Sequence, residues 1–254
     1  MNKTKSILFS IIWTVTILIF PISSGIIAVV FELDQIFTFV IQGAFMLVSI
    51  IIPLSYIKIK KCSFAEYGFR MIEKNSSKEV LFFIPFFLII LPRLVMGVDF
   101  QNVQYVFALL FFTLCVGVAE EIYFRGIIYK LLKNAFISPA VIISISAVIF
   151  GIGHGASIIG TGDIIATILQ VINAFLFGAV ATETIFIIKS LYPVMIFHLI
   201  YNFSNYISVA TGTTEIICIC VQVVITIITA IILGLNVNLV NKTKYKTSDT
   251  EKTL

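Results

Sequence analysis

The chain has 254 residues, 59% of them hydrophobic and 12% charged, against roughly 45–50% apolar and about 25% charged in an average soluble domain. Such a chain cannot hide its apolar surface in one water-soluble core, and a collagen, a disordered tail, a nucleic-acid module and a disulfide scaffold are excluded as well. The net charge of +4 is informative through its placement along the chain.

Charge-free runs occupy residues 6–31, 35–57, 100–119, 134–162, 164–182, 190–214 and 216–241, each about long enough to cross a ~30 Å hydrocarbon layer as a helix. An eighth run, 80–92, continues past Arg93 to Val98. The pattern predicts an all-α fold: a polytopic membrane helical bundle of about eight transmembrane helices, forming a single membrane domain over 1–254. The first run follows Lys3 and Lys5 and contains Ser23-Ser24-Gly25, features shared with a cleaved secretory signal. Its apolar residues continue to Phe31, longer than a signal core needs, so the reading is an uncleaved first span.

Residues 58–79 are the one sizeable hydrophilic insert. Phe64, Tyr67, Phe69 and Met71 alternate there with Lys, Arg and Glu, as in a short helix or turn at the cytoplasmic interface that snorkels its cations over anionic lipid. Residues 241–254 are polar and predict a disordered cytoplasmic tail. Fifteen of the seventeen Lys and Arg fall on alternate connections: Lys3 and Lys5; Lys58, Lys60, Lys61, Arg70, Lys74 and Lys78; Lys130 and Lys133; Lys189; and Lys242, Lys244, Lys246 and Lys252. The connections around Glu32 and Asp34, Asp99, Asp163 and Glu215 carry none. By the positive-inside rule both termini are cytoplasmic, and an even span count agrees. Cys62, Cys115, Cys218 and Cys220 show no paired metal spacing and read as small core residues.

An ionisable group in hydrocarbon costs at least ~2.5 kcal/mol and needs a partner, a cavity or a function. The groups in that position are Arg93, Glu120, Glu121, Arg125, His154 and His198, the last accompanied by Asn202. Glu121 and Arg125, four apart, share a helical face and can neutralise each other. Glu120 is rotated about 100° away and is left free as a proton acceptor. Phe150 precedes His154 by one turn, with glycines at 151, 153 and 155 that let another helix come close. His198 and Asn202 project together and can donate hydrogen bonds to one developing negative charge. Taken singly, each segment has a structural reading: a Glu-Glu-Arg knot, an interface histidine and an interhelical hydrogen-bond pair. Together they supply the groups that activate water, move a proton and hold an oxyanion in amide hydrolysis.

In this combination and order, Glu120-Glu121-Ile-Tyr-Phe-Arg125, Phe150-Gly-Ile-Gly-His154 and His198-Leu-Ile-Tyr-Asn202, the chain resembles the CAAX protease and bacteriocin-processing family. This is the CPBP or Abi family, also called type II CAAX prenyl endopeptidases, of intramembrane proteases. Phe175-Leu-Phe-Gly178 and Ser190-Leu-Tyr-Pro193 extend the likeness, which covers about residues 110–205 as the family core. The resemblance implies that Glu120 activates water, assisted by His154, and that His198 and Asn202 stabilise the oxyanion. Glu121, Arg125 and Phe150 then support the site.

The family is often labelled metalloprotease, and Glu120, His154 and His198 form a nominal zinc set. No His-Glu-x-x-His pair appears, however, and the reading taken is a glutamate-dependent mechanism without a metal, zinc being the alternative cofactor. The expected partners are membrane lipid and a peptide or protein substrate, with no nucleic acid. Bacterial relatives are associated with bacteriocin or pheromone processing and immunity. Fourteen lysines against three arginines suit an AT-rich bacterial genome and a bacterial plasma membrane. Two other functions compete: a non-enzymatic immunity or peptide-binding protein of the same fold, and a small proton- or ion-relay transporter.

One geometric question is open in the sequence. At 1.5 Å per residue Glu120 lies about 15 Å from Lys130, His154 about 24 Å from the Ser138-Pro139 helix start and His198 about 9 Å beyond Tyr192. These depths coincide only if the fifth span is tilted, bent or begins outside the hydrocarbon. The expectation is that Glu120, His154, His198 and Asn202 meet in one cytoplasm-facing cavity.

Overall fold

The computed structural model describes residues 2–72, 83–100 and 102–251. Eight helical segments follow the eight apolar runs: α1 Lys3–Val30, α2 Gln35–Ile59, α3 Phe83–Val95, α4 Val103–Lys133, α5 Pro139–His154, α6 Ile164–Ile188, α7 Leu191–Ile207 and α8 Gly212–Glu251. Among the described residues six are long and apolar enough to cross a membrane, α5 by continuing through further helical turns to Gly160, while α3 and α7, with 13 and 17 residues, are shorter. Among the described residues the only extended pairing is an isolated antiparallel bridge between Val98 and Ser208, which joins the ends of α3 and α7.

The polarity of the helices is inverted relative to a soluble bundle. In α1, Ser6, Ser10, Thr14 and Ser24 are buried while Leu8, Phe9, Ile11, Ile12, Val15 and Ile19 are exposed. The buried hydroxyls are satisfied within the protein: Ser10 donates to the Ser6 carbonyl, Thr14 to the Ser10 carbonyl, and Ser6 to the Leu131 carbonyl of α4. Lipid tails give no hydrophobic reason to bury leucine, so small and weakly polar residues take the helix contacts and the large apolar ones face outward.

Helix starts follow local capping chemistry. Asn2, Asp34, Asn102 and Asp163 each accept a hydrogen bond from a first-turn backbone N–H. Pro139 opens α5 after an extended Ser138, as its fixed φ favours, although the Ser138 hydroxyl makes no capping bond. Packing pairs α5 with α6, α2 and α7 with α4, α1 with α2, and both α3 and α6 with α8. At Gly117 in α4, an added Cβ would lie 3.2 Å from the Leu199 nitrogen and 3.5 Å from the His198 Cβ. Only hydrogen there lets α7 come this close.

The structure departs from the sequence reading in several places. The apolar run ending at Thr182 does not end α6, which continues to Ile188 and stops at Lys189 in the left-handed region. Glu183 is therefore a buried intrahelical residue rather than part of a connection. The tail predicted to be disordered from 241 is helical as far as Glu251, an extension of α8 that adds one backbone bond per residue once the helix is established; residues 252–254 lie outside the described residues. Of the four cysteines assigned to the core, Cys115 and Cys218 are buried, Cys62 is half-buried and Cys220 is exposed. Two positions along a helix are about 200° apart, so Cys218 and Cys220 cannot face the same neighbour. In the connector, Phe64–Tyr67 form one short 3₁₀ turn capped by Ser63 and closed by left-handed Gly68. Residues 73–79, with Lys74 and Lys78, lie outside the described residues.

Candidate active site

Three helices bring the polar groups together. α4 supplies Glu120, Glu121 and Arg125, α5 supplies Phe150 and His154, and α7 supplies His198 and Asn202. Glu121 is the final residue of the regular part of α4, and Ile122–Ile128 widen into π turns containing Arg125. Such widened turns recur at functional positions because they re-aim side chains.

The Glu121 carboxylate is fully buried and its Oε1 accepts two charge-assisted hydrogen bonds, from Arg125 Nη1 at 3.0 Å and from His198 Nδ1 at 2.8 Å. Arg125 is also buried; its Nη2 donates to the Gly178 carbonyl of α6 at 3.4 Å, and its guanidinium lies 4.2 Å from the centre of the Phe150 ring. An aromatic face and two oxygens thus take the place of water around the cation. Phe150 also stands 4.6 Å from the His154 ring, while Phe177 packs 4.5 Å from the His198 ring.

Glu120 faces the other way, as the 100° rotation requires. Its side chain is 16% exposed, and its Oε2 lies 3.9 Å from His154 Nε2 and 3.7 Å from His198 Nε2. That oxygen is buried and has no hydrogen-bond partner among the described residues. The tautomers follow from the partners. The Phe150 carbonyl can only accept, so the His154 Nδ1 at 2.9 Å carries a proton. The ion-paired Glu121 carboxylate likewise accepts from His198 Nδ1–H. Both rings are therefore pinned at Nδ1 and turn Nε2 toward Glu120.

The open question of depth is answered: His154, Glu120 and His198 lie at one level, within side-chain reach of one another. Asn202 is one turn beyond His198 on the same face and half-buried, and no hydrogen bond joins it to the other three groups among the described residues. The 210 Å³ cavity beside the site is lined by Arg125 and not by Glu120, His154 or His198. Among the described residues no group of three or more His, Cys, Asp and Glu is arranged to hold a metal ion, the nominal Glu120, His154 and His198 set included.

Several buried polar groups had no assigned place in the sequence reading. Arg93 bonds to Gln222 Oε1 at 3.3 Å and to Glu215 Oε1 at 3.4 Å, both on α8, so Glu215 belongs to an interhelical pair. Glu183 approaches α8 where Gly234 leaves room, its Oε1 being 3.1 Å from where a Cβ there would sit. The available signal was its position six residues before Lys189, short of a polar connection. Phe177 lay within the quoted Phe175–Gly178 segment without a role; its ring contact with His198 supplies one.

A bundle of apolar helices that encloses carboxyl, guanidinium and imidazole groups defines an integral membrane protein with a buried polar site. Residues 102–204, which contain all three motifs, match the family model described as Rce1-like, type II CAAX prenyl endopeptidase Rce1-like. No curated protein matches the chain.

Proposed function

We infer that the protein is an intramembrane endopeptidase that hydrolyses a peptide bond in a membrane-associated or hydrophobic peptide. The observation that supports this most directly is the convergence of His154 Nε2 and His198 Nε2 on one buried oxygen of Glu120. Gaps of 3.7 and 3.9 Å are too long for direct hydrogen bonds and suit groups that share a water or a reacting oxygen.

In this mechanism the Glu120 carboxylate takes a proton from water as the water oxygen bonds to the scissile carbonyl carbon. His154, held by the Phe150 carbonyl, keeps Nε2 beside that water and orients it. The negative charge that develops on the carbonyl oxygen is met by His198 and by the Asn202 amide. To donate from Nε2, His198 must carry a proton there as well as the Nδ1 proton that it gives to Glu121. The proton on Glu120 then passes to the leaving nitrogen as the C–N bond breaks, giving an amine and a carboxylic acid. Glu121 positions His198 and neutralises Arg125. No step passes through a metal.

Placing the lysine-rich ends of α4 and α6 in the cytoplasm puts both termini on that side, in a bacterial plasma membrane. Bacteriocin or pheromone maturation, or immunity to such peptides, fits this setting better than processing of prenylated tails. The test compares secreted and membrane peptides from cells with the wild-type chain, with Glu120→Gln and with neither. A cleavage product that requires wild type, disappears in Glu120→Gln and persists in chelator-treated membranes is expected. Protection or peptide patterns identical in wild type and Glu120→Gln at equal protein levels would instead identify a peptide-binding or immunity protein without turnover.

A further inference from the structure

A second polar cavity lies beyond the reacting groups, at the lysine-rich ends of α4 and α6. It encloses about 210 Å³, and five cations line it: Arg70, Arg125, Lys130, Lys133 and Lys189. The connector forms one wall. The Leu191 N–H donates to the Gly68 carbonyl at 2.8 Å, the Ser190 hydroxyl to the Arg70 carbonyl at 2.6 Å, and Arg70 Nε to the Lys189 carbonyl at 2.9 Å. These bonds fasten the connector to the α6–α7 junction. Among the described residues the lining includes one carboxylate, Glu66, which pairs with Lys130 at 3.0 Å, and Arg70 and Lys133 have further partners of their own. Glu121, the partner of Arg125 Nη1, is not part of the lining.

Two buried donors on this lining have no partner among the described residues. They are the hydroxyl of Tyr129, a residue 7% exposed, and Nε of Arg125, a residue 1% exposed. A buried donor is rarely left without an acceptor, and a planar guanidinium edge beside a phenol and several ammonium groups matches the oxygens of a phosphate.

We propose that this cavity is a binding site for a phosphate anion, held by the Tyr129 hydroxyl and Arg125 Nε and balanced by Lys189. An acidic phospholipid headgroup and a free phosphate offer this lining the same chemistry. The proposal is independent of the peptidase reading, because it uses neither Glu120 nor the histidines.

The test uses the full chain in phosphatidylcholine nanodiscs with and without phosphatidylglycerol, bound lipid being counted by native mass spectrometry. A parallel arm follows thermal stability in detergent with added inorganic phosphate. Tyr129→Phe removes an unpartnered hydroxyl and leaves the packing of the ring intact, and Lys189→Gln removes one cation. Retention of phosphatidylglycerol by wild type, reduced about fivefold in each variant, supports a headgroup site. Stabilisation by inorganic phosphate that is lost in the same variants supports a free-anion site. Equal lipid retention in wild type and both variants, together with no response to phosphate, would overturn the proposal.

Discussion

His198 and Glu121 are joined by a 2.8 Å hydrogen bond between α7 and α4, through the same Glu121 oxygen that accepts from Arg125. One carboxylate oxygen thus fixes an imidazole and neutralises a buried guanidinium. The two adjacent glutamates have separate surroundings: Glu121 is held between Arg125 and His198, whereas Glu120 faces Nε2 of His154 and of His198.

Glu120→Gln removes a charge that has no ion pair closer than 3.7 Å and preserves side-chain shape. Peptide cleavage should fall by about 10²–10⁴-fold, the range associated with a general base, while the thermal midpoint stays near that of wild type. Cleavage assayed by mass spectrometry alongside thermal unfolding checks both parts. A variant that cleaves at the wild-type rate removes Glu120 from the mechanism.

Glu121→Gln leaves Arg125 buried and unpaired, and Arg125→Met leaves Glu121 uncompensated. Each should destabilise by about 3–5 kcal/mol. The double variant should be more stable than the sum of the two losses predicts, because neither charge remains. Detergent unfolding of the four proteins measures the coupling, and simple additivity would show that the 3.0 Å contact contributes no net pairing energy.

Asn202→Ala tests oxyanion stabilisation apart from the fold, since the amide is half-buried and makes no bond to Glu120, His154 or His198 among the described residues. The expected result is a kcat lower by about 10²–10³-fold with KM nearly unchanged. A change confined to KM would assign Asn202 to substrate binding instead.

Gly117→Val places a side chain where the Leu199 nitrogen and the His198 Cβ already stand, at 3.2 and 3.5 Å from a Cβ. Overpacking of this kind costs about 1–3 kcal/mol, and here it also pushes His198 away from Glu121. Activity should therefore fall further than in a core variant of equal stability loss remote from α7. Comparing Gly117→Val with such a variant at matched thermal midpoints separates the two effects.

The Lys130 ammonium beside Glu66 holds its carboxyl below the ordinary glutamate value of 4.5, first through their hydrogen bond and then through their charges. A carboxyl depressed in the folded state stabilises the fold above that ordinary value, and the contribution fades as pH falls through the lower, folded one. Wild type should lose its small advantage over Glu66→Gln on acidification. Parallel thermal midpoints at every pH would mean that the exposed pair is energetically silent, as many surface pairs are.

The fold was legible because charge punctuates an otherwise apolar chain: charged clusters at 32–34, 58–61 and 130–133 and Asp163 mark helix ends. The site was legible because Glu120, Glu121, Arg125, His154 and His198 are too costly in hydrocarbon to be incidental. The shared use of Glu121 could not be read, since i,i+4 spacing shows its pairing with Arg125 but says nothing of a histidine 77 residues away. Glu183 was missed for a related reason: a charge interrupts an apolar run without ending its helix. The pairing of Arg93 with Glu215 and Gln222 depends on how α3 meets α8, which no local pattern encodes.

The pinned rings have an evolutionary corollary. A side chain replacing His154 or His198 must anchor itself on one edge and present nitrogen on the opposite edge, across the width of a five-membered ring. Asparagine and glutamine can imitate one edge or the other, and lysine can reach but cannot brace. Among the twenty ordinary building blocks imidazole alone spans that gap, so neither position has a conservative substitute.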